Sequence, residues 1–221
     1  MNKRLSKLRK TLKVEGKFPY YITDLINIQY LTGFNGTYGY LIIDEKNAWF
    51  ISDSRYEEYA QSILPKNFSF VCQELDPFIT IYELLKMNDL KQLFFEDHNL
   101  VHSVYKMLKK RLRGIKVKPG GSLVNEQRII KDENEITILK KAAKITDKCV
   151  KHIKKNIKPG MSEWDLAVEI DYFYKQNGCK KSSFDAIVAS GTNSSMPHHQ
   201  TSMKKKIKQG EILLIDMGCT Y

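Results

Sequence analysis

The sequence predicts a mixed α/β chain, passing to α+β, with an alternating strand–helix layer domain over 1–122 and a second domain over 123–221. Short β-rich runs interleave with segments of helical period through the first half, the pattern of an α/β layer domain. Gly114 to Val124, containing Pro119-Gly120-Gly121, interrupts that alternation and marks the junction. Two long amphipathic helical segments follow, and then two apolar runs, Phe184–Ser190 and Glu211–Asp216.

In order, Leu5, Leu8 and Leu12 share one face of a basic first helix. Pro19–Thr23 reads as a strand, and Ile26–Leu31 as a turn or short helix. A glycine-punctuated loop follows at Thr32–Thr37. Tyr40–Ile43 and Ala48–Ile51 flank a turn at Asp44–Asn47, as in a hairpin. Helical patterns cover Arg55–Ile63, Phe78–Met87 and His102–Arg113, with a strand at Gln92–Glu96. In the second part, Asn134–Ile157 carries an apolar stripe through Ile136, Leu139, Ala142, Ala143, Ile145, Cys149, Val150 and Ile153. Lys158-Pro159-Gly160 ends it. Ser162 and Asp165 form a capping box for a second helix whose expected core face is Trp164, Ala167, Ile170, Phe173 and Tyr174, with Gly178 as its terminator.

Composition narrows the class. At 42% hydrophobic and 28% charged residues the chain reads as globular, and no apolar run approaches membrane-spanning length. The basic N-terminus lacks the apolar core of a signal peptide. Cys72, Cys149, Cys179 and Cys219 show no CxxC pairing, which fits reduced thiols in a cytoplasmic protein. A net charge of +11 raises nucleic acid as a partner. No stacking-aromatic motif, zinc finger or helix-turn-helix organises the lysines, so they read as solvated helix faces and nucleic acid is not the expected partner.

The chemistry-bearing residues gather near the C-terminal end. His198 follows Pro197 on a polar loop, SGTNSSMP, where an imidazole serves as hydrogen-bond donor or proton shuttle; the alternative is a structural histidine. Adjacent residues on an extended segment point to opposite sides, so only one of His198 and His199 is expected in a site. Asp216 ends an apolar strand, placed either to ligate a metal or to cap its own turn. Asp185 is a weaker carboxylate candidate. Asp53-Ser54-Arg55-Tyr56 reads as a helix cap rather than an anion corner. No phosphate loop and no GxSxG elbow occurs.

These residues, taken in order, resemble the aminopeptidase P and prolidase family. The resemblance runs through Tyr21-Ile22-Thr23, Asn27 to Phe34, Asp53 to Tyr56, Arg128 to Ile136, Lys158 to Glu163, Phe184 to Gly191, Pro197-His198 and Ile215 to Gly218. It implies a creatinase-like N-terminal α/β domain followed by the first part of a pita-bread catalytic domain. It also implies a dinuclear metallopeptidase, usually with manganese, that acts on peptides with proline at the second position and forms a homodimer. On this resemblance Asp216 is a metal ligand, His198 contacts substrate and stabilises the tetrahedral intermediate, and His199 is incidental. The family pattern continues past Asp216-Met217-Gly218 to a second Asp, a His and two Glu, and here the chain stops at Tyr221. The expectation is therefore a chain cut within its catalytic domain, inert on its own and holding no metal stably. The N-terminal domain favours an aminopeptidase, with an Xaa-Pro dipeptidase as the alternative. A non-catalytic binding module or a metal-free, creatinase-like enzyme of the same fold are the rivals, and retention of both His198 and Asp216 argues against them.

Overall fold

The computed structural model describes residues 2–221, which fall into two compact units dividing at 130/131. In the first unit, helix α1 (Lys3–Glu15) is capped by Asn2, whose side chain accepts from the amides of Arg4 and Leu5. Strand β1 (Tyr20–Ile22), helix α2 (Leu25–Thr32) and the hairpin β2 (Tyr40–Ile43) and β3 (Ala48–Ser52) follow. Asp53 caps a single 3-10 turn leading into α3 (Glu57–Ile63), as a capping role for this motif requires. Then come β4 (Ser69–Cys72), α4 (Pro77–Met87), β5 (Gln92–Phe95), α5 (His102–Arg111), β6 (Lys116–Pro119) and α6 (Leu123–Ile129).

The six strands make one sheet in the order β4-β3-β2-β1-β5-β6. Only β2 is antiparallel to its neighbours. Alternation along the strands sends side chains to two cores. Tyr20, Ile22, Leu41, Ile43 and Phe50 pack with Leu5, Leu8 and Leu12 of α1 and with Leu123 and Val124 of α6. Tyr21, Ile42, Trp49, Ile51, Leu93 and Phe95 pack with Ile81 and Leu85 of α4 and Leu108 of α5. The sheet is thus buried on both faces, which is why its central strands are continuous apolar runs.

Two strands of this sheet escape the sequence reading, and both are edges. β4 is half exposed, and β6, Lys-Val-Lys-Pro, lies inside the segment expected to be a junction. An edge strand buries little and so carries a weak apolar signal; its lysines and terminal proline discourage further pairing. Helix α6 also lay in or beyond that junction. Leu123 and Val124 join the first core, and Gln127 donates to the carbonyl of Arg4 at 3.0 Å. The division at 130/131, rather than the expected 122/123, follows from α6 packing with the first unit.

A buried carboxylate ties this unit together. Glu96, just after β5, is fully buried and accepts from the amides of Thr23 and Asp24, each at 3.1 Å, and from Asn27 Nδ2 at 2.6 Å. Asn27 Oδ1 in turn accepts from Arg128 on α6 at 2.8 Å. Burial raises the Glu96 pKa, and the donors oppose that shift without cancelling it.

In the second unit, α7 (Glu133–Asn156) opens with a capping box between Asp132 and Glu135. Its stripe is only partly covered: Cys149 and Ile153 are buried, Ile145 is partly buried, and Leu139 is 56% exposed. Helix α8 (Glu163–Gln176) carries the expected Ser162–Asp165 capping box. Its buried residues are Glu163, Leu166, Ile170 and Tyr174, while Trp164, expected in the core, is 45% exposed. Strand β8 (Ile187–Ser190) pairs antiparallel with β9 (Leu213–Asp216), and a small ladder joins β7 (Lys181–Ser182) to β10 (Cys219–Thr220). The four cysteines are free thiols, and burial raises Cys149 and Cys179 to about 11. Among the described residues no helix is long and apolar enough to cross a membrane.

Glu96→Ala removes the acceptor of the part-buried Thr23 and Asp24 amides and leaves Asn27 Nδ2 with Asn125 Oδ1 alone, so it is expected to cost about 2–4 kcal/mol. Urea unfolding followed by the near-UV signal of Trp49 checks this; a loss below about 1 kcal/mol would contradict it.

Candidate active site

The hairpin β8–β9 places the sequence candidates. Its register pairs Ile187 with Asp216, Val188 with Ile215, Ala189 with Leu214 and Ser190 with Leu213. Directly paired residues share a face. Val188, Leu213 and Ile215 pack with α7 and α8. Asp216 therefore lies with Ile187, Ala189 and Leu214 on the face turned away from those helices, and its side chain is exposed.

Between the two strands the chain makes a long polar excursion, closed at its base by Gly191 N donating to Ile212 O at 2.9 Å. It begins with a 3-10 turn, Gly191–Ser195. A tight turn follows, in which Met196 N donates to Asn193 O at 3.0 Å and His199 N to Met196 O at 3.1 Å. Pro197 occupies the second position of that turn, where its fixed φ suits the bend, and His198 the third. His198 thus sits exposed at the tip. The loop then runs back along β8: Thr201 Oγ1 accepts from Val188 N and donates to Ala186 O, each at 3.0 Å. That single hydroxyl pairs two backbone groups of the open edge of β8. It also puts Thr201 beside the strand position whose other neighbour is Asp216, about two strand spacings, or ~10 Å, away.

The loop closes on Glu163, the first residue of α8, which is fully buried. One carboxylate oxygen accepts from Ser190 N at 2.7 Å, Ser190 Oγ at 3.0 Å and Asn193 Nδ2 at 3.0 Å. The other accepts from His199 Nε2 at 2.8 Å and Ser202 N at 3.1 Å. Burial alone would raise the Glu163 pKa, but these donors outweigh it and lower the pKa to about 2. The positive end of α8 favours the same charge. On the other side of the loop, Glu211 takes Lys205 Nζ at 3.0 and 3.1 Å, and Gly191, at φ +57°, leaves room for that carboxylate.

His199, expected to be incidental, is thus a fixed member of the loop. Sequence reasoning also passed over Glu163 as a charge. A Glu directly after a Ser N-cap reads as an ordinary first-turn carboxylate, and nothing local reveals its burial by a segment about 30 residues away. Asp185 precedes β8, is exposed, and lines a cleft of about 540 Å³ with Trp164, Val168 and Asp171. Cys219 packs in the core of this unit, as a packing thiol would.

A divalent ion of the hard class takes several oxygen or nitrogen ligands. Among the described residues no group of three or more His, Cys, Asp and Glu side chains is placed to hold one. Asp216 supplies one carboxylate, so the residues present do not complete a metal site.

Comparison with known proteins places this arrangement. Residues 4–130 match the Creatinase/Prolidase N-terminal domain, and residues 137–221 match Metallopeptidase family M24. The chain belongs to the creatinase/prolidase family. Within that family it is 34% identical over 218 residues to an uncharacterized peptidase, YqhT, of Bacillus subtilis, covering 99% of this chain and 61% of that protein. It is 31% identical to an Xaa-Pro dipeptidase of Pyrococcus furiosus, covering 100% of this chain and 62% of the relative. An Xaa-Pro dipeptidase structure from Bacillus anthracis superposes with a TM-score of 0.91 at 33% identity, covering 99% of this chain and 61% of that one. The first unit is accordingly the creatinase-like α/β domain and the second part of the pita-bread fold. The chain spans about three fifths of the length of these family members.

The low pKa of Glu163 carries a pH signature. A carboxyl group lowered on folding stabilises the fold above its unfolded pKa, near 4.5, and loses that contribution as pH falls toward about 2. Urea unfolding followed from pH 6 down toward the lower of those values is expected to show Glu163→Gln less stable than the parent at pH 6 by up to about 3 kcal/mol, with the gap narrowing on acidification. A gap independent of pH would contradict an ionised Glu163.

Proposed function

We propose that the protein is a metal-dependent Xaa-Pro peptidase that hydrolyses the bond between an N-terminal residue and proline. The observation that carries this reading is the presentation of His198 on a proline-fixed turn whose loop lies along β8, opposite Asp216 on the open face of the hairpin. In this reading His198 donates a hydrogen bond to the oxygen of the tetrahedral intermediate, where negative charge develops. Asp216 would be one ligand in a set for two divalent ions, manganese being the family's usual choice.

The substrates are peptides with proline at the second position. The N-terminal domain favours an aminopeptidase acting on longer peptides. A second reading, an Xaa-Pro dipeptidase, is favoured by the names of the Pyrococcus furiosus and Bacillus anthracis relatives. A cytoplasmic homodimer completes the proposal, consistent with four free thiols.

The 221 residues alone offer too few ligands and are expected to release no N-terminal residue from an Xaa-Pro-containing peptide with manganese added. Activity in this chain that disappeared in Asp216→Ala would overturn that expectation. In the full-length protein, His198→Ala is expected to lower kcat about 10²–10³-fold. Undiminished turnover in that variant would remove His198 from the reaction. Comparing Xaa-Pro dipeptides with longer Xaa-Pro peptides as substrates separates the two readings.

A further inference from the structure

The proposed chemistry makes no use of Glu163, yet this buried carboxylate holds both ends of the loop that bears His198. Ser190 and Asn193 bind it at the start of the loop and Ser202 at the end, with His199 in between. The second half of the loop also returns to α8, where the Glu163 and Trp164 amides donate to the carbonyls of Lys205 and Ser202, each at 3.2 Å. The loop therefore meets the N-terminus of α8 through both backbone and side chains. Between these anchors, the turn over Met196–His199 is short, and its last residue is the one pinned to Glu163.

We infer that Glu163 and His199 form a positioning pair, in which the carboxylate fixes His199 and the turn thereby presents His198 in one orientation. The two adjacent histidines then divide the work: His199, with a side chain 11% exposed, is the anchor, and exposed His198 faces outward. The polar composition of the loop fits this arrangement. A segment whose apolar side chains, Met196 and Pro197, stay exposed takes its order from hydrogen bonds, and one buried anion supplies a common acceptor for five donors. This inference rests on the role proposed for His198, but the loop's order can be tested without it.

The test has two parts. In the 221-residue protein, amide hydrogen exchange is read for residues 190–202 in the parent, Glu163→Gln and His199→Ala. Both substitutions are expected to speed exchange at Ser190, His199 or Ser202 by at least about tenfold, while amides around Ile170 in α8 exchange as in the parent. Loop amides that stay protected in both variants would overturn the inference. If Glu163→Gln does not fold, His199→Ala, at the rim of the cluster, decides alone.

In the full-length protein, both variants are expected to lower kcat about 10–100-fold with KM nearly constant, because a misplaced group loses transition-state rather than ground-state binding. His199→Gln, which keeps a donor for the carboxylate, is expected to recover much of what His199→Ala loses. A loosened loop with unchanged kcat, in a protein that His198→Ala does impair, would overturn the positioning role. A parent protein without Xaa-Pro peptidase activity would overturn the proposed function instead, and the exchange data would still decide whether Glu163 orders the loop.

Discussion

A single buried charge organises the second unit. Glu163 has no solvent around it, and an ionised carboxylate in such a place persists only with a full set of donors. Those donors come from a segment beginning at Ser190 and ending at Ser202. The requirement thus runs both ways: the carboxylate needs the loop to stay ionised, and the loop needs the carboxylate to have a shape. Its position at the first turn of α8, whose dipole favours an anion, makes the helix a rigid base for that exchange.

The hairpin separates stability from chemistry by the two-residue period of a strand. Val188, Leu213 and Ile215 face the helices and hold the core; Asp216 falls on the other face. A one-residue slip would bury Asp216 and expose Ile215, so the apolar packing under α7 and α8 also fixes where the carboxylate emerges. Thr201 adds a second constraint by capping the free edge of β8, which keeps the loop against the strand. The geometry around His198 and Asp216 is thus set by core packing, one hydroxyl and one buried anion.

What was legible in the sequence follows from how local its causes are. Helix α1, the hairpin β2–β3, the apolar stripe of α7 and the capping box of α8 were readable because periodicity and cap residues lie within a few positions of what they control. Edge strands β4 and β6 were not, since their pairing is decided by neighbours in the sheet rather than by their own apolar content. On α8, Ile170 and Tyr174 are buried as helical spacing implies, but Trp164 is exposed and Leu166 takes its place in the core, a rotation no local rule specifies. Of the candidate site, His198 and Asp216 stood out by residue type, Pro197 and strand position. Glu163 and His199 did not, because what joins them is a contact across 36 positions of sequence.

Asp216 and the His198 loop are proposed here as parts of one metal-dependent peptidase centre. Metal analysis of the full-length protein, purified after manganese loading, tests it most directly when the parent is compared with Asp216→Asn. About two bound ions per parent chain are expected, as for a two-metal site, and a clear loss in the variant with the fold intact by circular dichroism. Equal metal content in the two proteins, or none in either, would contradict it.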